Sequence, residues 1–148
     1  MKLIPIDIDS NKNLLFRDIP QCLPIMESYP EYYQKIGYNL PWIGYFVSND
    51  ENEIVGCGGF KGQPANGKIE IAYGTFKPFE GKGVGKEICR LLVDISLKTD
   101  AAVRITARTL QDSHASIGIL KANGFECLGT IMDEEDGEVL EWEYKKDQ

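Results

Sequence analysis

The chain has 148 residues and a mass of 16.6 kDa, with 43% apolar and 26% charged residues, which fits one domain spanning 1–148 and excludes a disordered or low-complexity scaffold. Its 23 Asp and Glu against 16 Lys and Arg give a formal net charge of -7, which argues against a surface that tracks nucleic-acid phosphates and favours a cationic partner. No apolar run approaches the length that crosses a bilayer, and the start, Met1 to Asp7, is too short and too soon acidic for a signal peptide, so a cytoplasmic protein with no membrane association is expected.

In chain order, Leu3 to Ile8 alternates weakly and reads as an edge strand. Between Leu14 and Ile36, Ile19, Leu23 and Met26 fall at helical spacing, but Pro20, Pro24 and Pro30 are expected to cut the stretch into short helical pieces forming a lid or wall. Trp42 to Val47 and Ile54 to Phe60 are rich in aromatic and β-branched residues and read as strands joined by the turn Asn49-Asp50-Glu51-Asn52. Asn66-Gly67 turns the chain into a third strand, Lys68 to Phe76. Val84, Ile88, Leu91, Leu92 and Ile95 then form one apolar face of a helix ending near Lys98. A strand from Val103 to Ala107 follows. Asp112 or Ser113 can cap a second helix, which Asn123-Gly124 stops, and Phe125 to Met132 and Glu138 to Tyr144 flank Asp136-Gly137 as a final hairpin. The order predicts a mixed α/β sheet with helices packed on it.

The most informative stretch runs from Ile69 through Thr75 and Phe76 to Gly81-Lys82-Gly83-Val84-Gly85-Lys86, a strand passing through a glycine loop into a helix. Gly81, Gly83 and Gly85 remove Cβ atoms that would block an anionic ligand, the helix N-terminus aims free N–H groups at it, and Lys82 and Lys86 add positive charge. Spacing excludes two other phosphate loops. A Walker A loop needs Ser or Thr after its Gly-Lys pair where this chain has Glu87, and G-x-G-x-x-G fails at Lys86 and at Ile88.

What remains resembles the pyrophosphate loop of the GNAT N-acetyltransferases, R/Q-x-x-G-x-G/A, which Gly83 and Gly85 match. Ser113 to Glu126, ending in Asn123-Gly124-Phe125, is similar to the second helix of that family, and Ile54 to Phe60 resembles the strand ahead of its loop strand. The likeness covers roughly residues 42 to 144, and the branch it most resembles contains ribosomal-protein N-terminal acetyltransferases. Glu80 stands where the family loop opens with Arg or Gln, Ser113 where its second motif usually begins with Asn, and Leu120 where many members carry a tyrosine general acid.

The resemblance implies an acyl-CoA N-acyltransferase fold and transfer of acetyl from acetyl-CoA, as co-substrate and without a metal, to a primary amine on a small molecule or a protein N-terminus. Cofactor contacts are then expected from Thr75, Phe76, Gly81, Lys82, Gly83, Val84, Gly85, Lys86, Ser113 and Ser116, and catalytic roles from Glu70, Tyr73 and Ser116. Glu70, on the loop strand, suits the removal of a proton from the amine, against the plainer reading of an outward strand charge. Alternation places Glu70 with Ala72 and Gly74 on one face and Tyr73 on the other. Tyr32, Tyr33, Trp42 and Tyr73 can line an acceptor pocket or serve as core. His114 reads as a surface residue. Cys22, Cys57, Cys89 and Cys127 form no C-x-x-C and read as reduced, buried thiols. The acidic run Asp133 to Asp136 reads as a solvated turn that also draws a cationic acceptor. The sequence admits a homodimer, and the rival reading is an acyl-CoA-binding module of the same fold that senses rather than transfers.

Overall fold

The computed structural model describes residues 1–146. Seven strands form one sheet: β1 (Lys2–Pro5), β2 (Gly44–Ser48), β3 (Ile54–Phe60), β4 (Lys68–Thr75), β5 (Arg104–Thr109), β6 (Phe125–Asp133) and β7 (Gly137–Tyr144). Their order across the sheet is β1-β2-β3-β4-β5-β7-β6. Every neighbouring pair is antiparallel except β4 and β5, whose connection carries the helix that a parallel crossover requires. The helices are α1 (Leu23–Ile36), α2 (Val84–Thr99) and α3 (His114–Ala122), with 3₁₀ turns at Ser10–Phe16 and Lys77–Phe79.

Alternation decides which face each helix covers. Ile69, Ile71, Ile105 and Ala107 point to one side and join Ile88, Cys89 and Leu92 of α2 and Leu120 of α3 in the main core. Gly56 and Gly58 let α2 lie close on β3, since a Cβ on Gly58 would meet Ile88 and Leu92 at 3.0 and 3.1 Å. On the opposite face Phe46 and Cys57 pack with Phe16 and Cys22 under α1. Another cluster, Tyr33, Ile43 and Tyr45, fixes the C-terminal half of α1.

Pro30 does not cut the region before β2 as the prolines suggest. Pro24 occupies the first turn, where its missing N–H costs nothing, and α1 then continues unbroken through Pro30. Tertiary contacts outweigh the local defect: the buried Tyr33 hydroxyl donates to the Ile6 carbonyl at 2.7 Å and accepts from the Gly44 N–H at 3.1 Å. The Tyr29 ring occupies the space that a Cβ on Gly44 would fill. β1 is an edge strand as expected, but shorter, and the turn at Lys77–Phe79 was not foreseen. Ser113 precedes α3 but makes no side-chain cap, while Gly124, at φ +83°, ends it in the left-handed conformation.

Candidate active site

Parallel pairing between β4 and β5 runs only from Lys68↔Arg104 to Ile71↔Ala107. β4 continues to Thr75, and there only its β3 side is paired, from Gly59↔Ala72 to Gly56↔Thr75. The two parallel strands therefore part after Ile71, and because backbone groups alternate sides along a strand, with those of Glu70 and Phe76 bonded to β3, it is Tyr73 and Thr75 that present hydrogen-bonding groups toward the gap.

A cleft of about 630 Å³ fills that gap, lined by Tyr73, Gly74 and Thr75 of β4, Phe79 to Gly81, the α2 start from Gly83 to Lys86, and Ala115, Ser116 and Ile119 of α3. Glu87 N–H donates to the Gly83 carbonyl, so Gly83 is the cap of α2, whereas the N–H groups from Gly81 to Lys86 have no acceptor among the described residues. Gly81 and Gly83 both lie in the left-handed region, at φ +78° and +80°, and nothing stands within 4 Å of where their Cβ atoms would be. Such a run of unbonded N–H groups at a helix N-terminus can hold an anion. Gly85 acts through packing instead, since a Cβ there would meet Ile119 Cδ1 at 2.6 Å and its absence lets α2 approach α3. Asn123 ties the same two helices, its Nδ2 donating to the Lys86 and Ile119 carbonyls at 3.1 and 3.0 Å.

Of the cofactor residues expected from sequence, Thr75, Gly81, Gly83, Val84, Gly85, Lys86 and Ser116 line this cleft. Three do not. Phe76 turns into the core beneath α1, its N–H held by the Val55 carbonyl. Lys82 reaches back over the Phe79 ring, 6.0 Å from its centroid. Ser113 sits at the head of α3 outside the lining. Phe79, Ala115 and Ile119 line the cleft without having been foreseen; only the apolar spacing of Ile119 from Ala115 on one helix face could have flagged the α3 pair.

A second cavity, of about 230 Å³, opens on the α1 face of the same strand, bounded by Tyr29 and Tyr32 of α1, Cys57 to Lys61, and Ala72 to Gly74. It shares Tyr73 and Gly74 with the large cleft, so two spaces approach one strand segment from opposite faces. Of the aromatics weighed for this role, Tyr32 and Tyr73 line the cavity, whereas Tyr33 and Trp42 are core. Tyr29 is new to the site. Its ring meets Tyr32 edge-on at 5.5 Å, a pairing one helical turn apart that the apparent break at Pro30 obscured.

Glu70 faces the α1 side with Ala72 and Gly74, as alternation requires, and lines neither cavity. Its Oε2 lies 2.7 Å from Lys61 Nζ and its Oε1 3.7 Å from Arg108 Nε. Arg108 is held in turn by Asp133 at 3.0 Å, which places the acidic β6–β7 turn beside the second cavity. Burial works against the Lys61 charge, but the hydrogen bond and charge of Glu70, with Asp133 behind them, outweigh it and raise the Lys61 pKa. Tyr73 differs from a ready proton donor: its hydroxyl is buried without a partner, and burial, with Cys89 adding to it, raises its pKa. Burial likewise pushes the Cys89 thiol up to about 12, and that of Cys57 upward, which suits packing rather than nucleophilic attack, whereas Cys127, expected to be buried, is exposed on β6. His114 is exposed at the start of α3 and lines neither cavity. Among the described residues no group of three or more His, Cys, Asp or Glu is placed to hold a metal, and no helix is long and apolar enough to cross a membrane.

A family model described as an acetyltransferase (GNAT) domain matches residues 16–126. The uncharacterized N-acetyltransferase YjdG of Bacillus subtilis (strain 168) is 38% identical over 104 residues, which are 70% of this chain and 58% of that protein, so the match spans less than two thirds of the relative's length. Among solved structures, a chimera of a Vibrio cholerae spermidine N-acetyltransferase and hSSAT superposes with a TM-score of 0.71 at 14% identity, covering 97% of this chain and 95% of its own. A ribosomal L7/L12 alpha-N-protein acetyltransferase in complex with coenzyme A gives 0.68 at 20% identity, covering 95% and 91%.

Proposed function

The chain belongs to the GNAT acetyltransferases, and on that footing we propose that it transfers an acetyl group from acetyl-CoA to a primary amine by direct attack of the amine on the thioester. The observation that carries the reading is the meeting of two spaces at Tyr73 and Gly74, a long cleft ending in an anion cradle and a small cavity on the other face. A donor and an acceptor that must react need such opposed entrances, because holding both in line replaces a bimolecular encounter.

The residues present fit acetyl-CoA. The open positions over Gly81 and Gly83 and the free N–H groups up to Lys86 suit its diphosphate, and Lys86 adds a cation. The unpaired side of Ala72 to Thr75 suits the amides of its pantetheine arm, and a cleft of about 630 Å³ is in the range of small-molecule sites. Glu80 is the one lining residue whose charge opposes the phosphates. When bound, acetyl-CoA supplies the activated acetyl group. An N–H of the open β4 segment polarises the thioester carbonyl, as preorganised donors do wherever negative charge develops. The amine enters from the α1 side between Tyr29, Tyr32 and Gly74, and Glu70 receives its proton directly or through one water. Ser116, whose hydroxyl makes no hydrogen bond among the described residues and which lines the cleft, donates to the departing thiolate.

The acceptor is a cationic amine of a small molecule or a protein N-terminus; the overall charge of -7 and the acidic turn beside the second cavity favour it. The reading of a binding module draws on a different observation: the Tyr73 hydroxyl is buried and position 120 is a leucine, so neither offers a phenol to the leaving thiolate. Thiol release from acetyl-CoA across a panel of primary amines separates the two. Amine-dependent release above the buffer rate supports transfer, and tight coenzyme A binding with no release for any amine supports the module.

A further inference from the structure

The second cavity has an unusual wall. Among the described residues its only charged lining side chain is Lys61, and Lys61 carries the same chemical group as the proposed substrate, a primary ammonium on an unbranched four-carbon chain. That ammonium sits 2.7 Å from Glu70 Oε2, the carboxylate assigned to the substrate's proton. The two oxygens of Glu70 are held unequally. Arg108 faces Oε1, and Arg108 is itself anchored by Asp133 at 3.0 Å across the sheet, so this side belongs to a network tying β4, β5 and the β6–β7 turn. Lys61 on Oε2 has no second acidic partner within salt-bridge distance among the described residues, and its side chain is 44% exposed at the end of β3. Apart from that ion pair it is held through its backbone, its N–H donating to the Glu70 carbonyl at 3.1 Å. The side chain can therefore leave without disturbing the strands.

We infer that Lys61 is an internal occupant of the acceptor-ammonium seat at Glu70, and that the acceptor is an unbranched primary alkylamine that takes its place there. The inference rests on the transfer reading above. Exchange of one alkylammonium for another at a partly solvated carboxylate leaves the ion pairing of Glu70 nearly unchanged, so Glu70 keeps its orientation. The side chains of Tyr29 and Tyr32 line the path with apolar surface that suits a methylene chain. A branched amine would need more room at the ammonium than a seat filled by a lysine side chain offers.

The consequence separates Lys61 from a residue that merely holds Glu70 in place. As an internal competitor it weakens substrate binding, so Lys61→Met, which keeps an unbranched chain of similar length, should lower the KM for 1,4-diaminobutane by roughly two- to fivefold, the worth of one exposed ion pair. The preference for 1,4-diaminobutane over tert-butylamine should persist in the variant. A KM that is unchanged or raised in a variant of native circular dichroism overturns the inference, because a positioning lysine would behave so. If neither protein releases thiol, the transfer reading has failed separately, and calorimetry with 1,4-diaminobutane on each protein saturated with coenzyme A decides the seat. Tighter binding by Lys61→Met, lost in a Lys61→Met/Glu70→Gln double variant, supports it. Equal binding, weaker binding, or no binding by either protein overturns it.

Discussion

Gly83 stands at φ +80° with nothing within 4 Å of its missing Cβ, whereas a Cβ on Gly85 would lie 2.6 Å from Ile119 Cδ1. Both match the loop pattern, yet they respond to different forces. Gly83→Ala forces a side chain into a left-handed position and into the ligand's space, so coenzyme A affinity should fall more than tenfold in calorimetry while stability drops by only about 1 kcal/mol. Gly85→Val overpacks the α2–α3 contact and should cost about 1–3 kcal/mol in a urea titration whether or not ligand is present. Glu70 is proposed to act where charge moves. If it accepts the amine proton, Glu70→Gln should lower kcat/KM about 10²- to 10⁴-fold near neutral pH. The deficit should narrow as pH rises, because free amine then arrives already deprotonated; parallel pH profiles of parent and variant would remove Glu70 from that role.

Among the elements, α1 is the wall of the proposed acceptor cavity, and its continuity decides whether Tyr29 and Tyr32 meet. The helix carries an exposed proline and is held in place by the buried Tyr33 hydroxyl. Pro30→Ala restores a backbone donor and removes the ring clash, a gain of about 3 kcal/mol, offset by about 0.4–1 kcal/mol of added freedom in the unfolded chain. The net expectation is a stabilisation of about 2 kcal/mol, measured as a higher urea midpoint. A lower midpoint would mean that the proline ring makes contacts that α1 needs. The parting of β4 from β5 is the other decision made by elements: pairing through Ile71 fixes the sheet, and its end at Ala72 creates the cleft.

Across the fold, the acidic β6–β7 turn links the α1 side of the sheet, the side proposed to take the acceptor, to global stability. Asp133 Oδ2 accepts from the Glu135 and Asp136 N–H groups at 3.0 and 3.1 Å, and Oδ1 from Arg108. Those backbone hydrogen bonds, with Arg108, lower its pKa to about 2. A carboxyl depressed in the folded state stabilises above its unfolded pKa of about 3.9, and that contribution is lost as pH falls toward the folded value. Asp133→Asn should therefore destabilise the fold at pH 7 by about 1 kcal/mol, and the gap between variant and parent should close between about pH 4 and pH 2 in denaturant titrations. A gap that stays constant across that range would assign the effect to turn geometry rather than to charge.

Local signals were enough for the elements that carry their own instructions. Ile54–Phe60 is a strand of β-branched residues and glycines, Val84 to Ile95 repeat at helical spacing, and Gly124 ends α3 because only a residue without a Cβ adopts its φ cheaply. The glycine loop was legible for the same reason, since backbone conformation and bare N–H groups follow from which positions lack side chains. What depends on distant partners was not. Pro30 reads as a break until Tyr33 finds Ile6 and Gly44. Phe76 and Lys82 sit in the motif yet turn away from the cleft, because apolar burial under α1 and the Phe79 ring compete for them. The pairing of Lys61 with Glu70 joins the end of one strand to the middle of the next. The order of strands and helices along the chain and the presence of a glycine loop with bare N–H groups were therefore written in the residues themselves, because these rest on periodicity and on glycine. Which face of β4 each cavity occupies, which aromatics border them and which cation meets Glu70 emerged only on folding, because register and packing bring together residues whose local signals carry no record of one another.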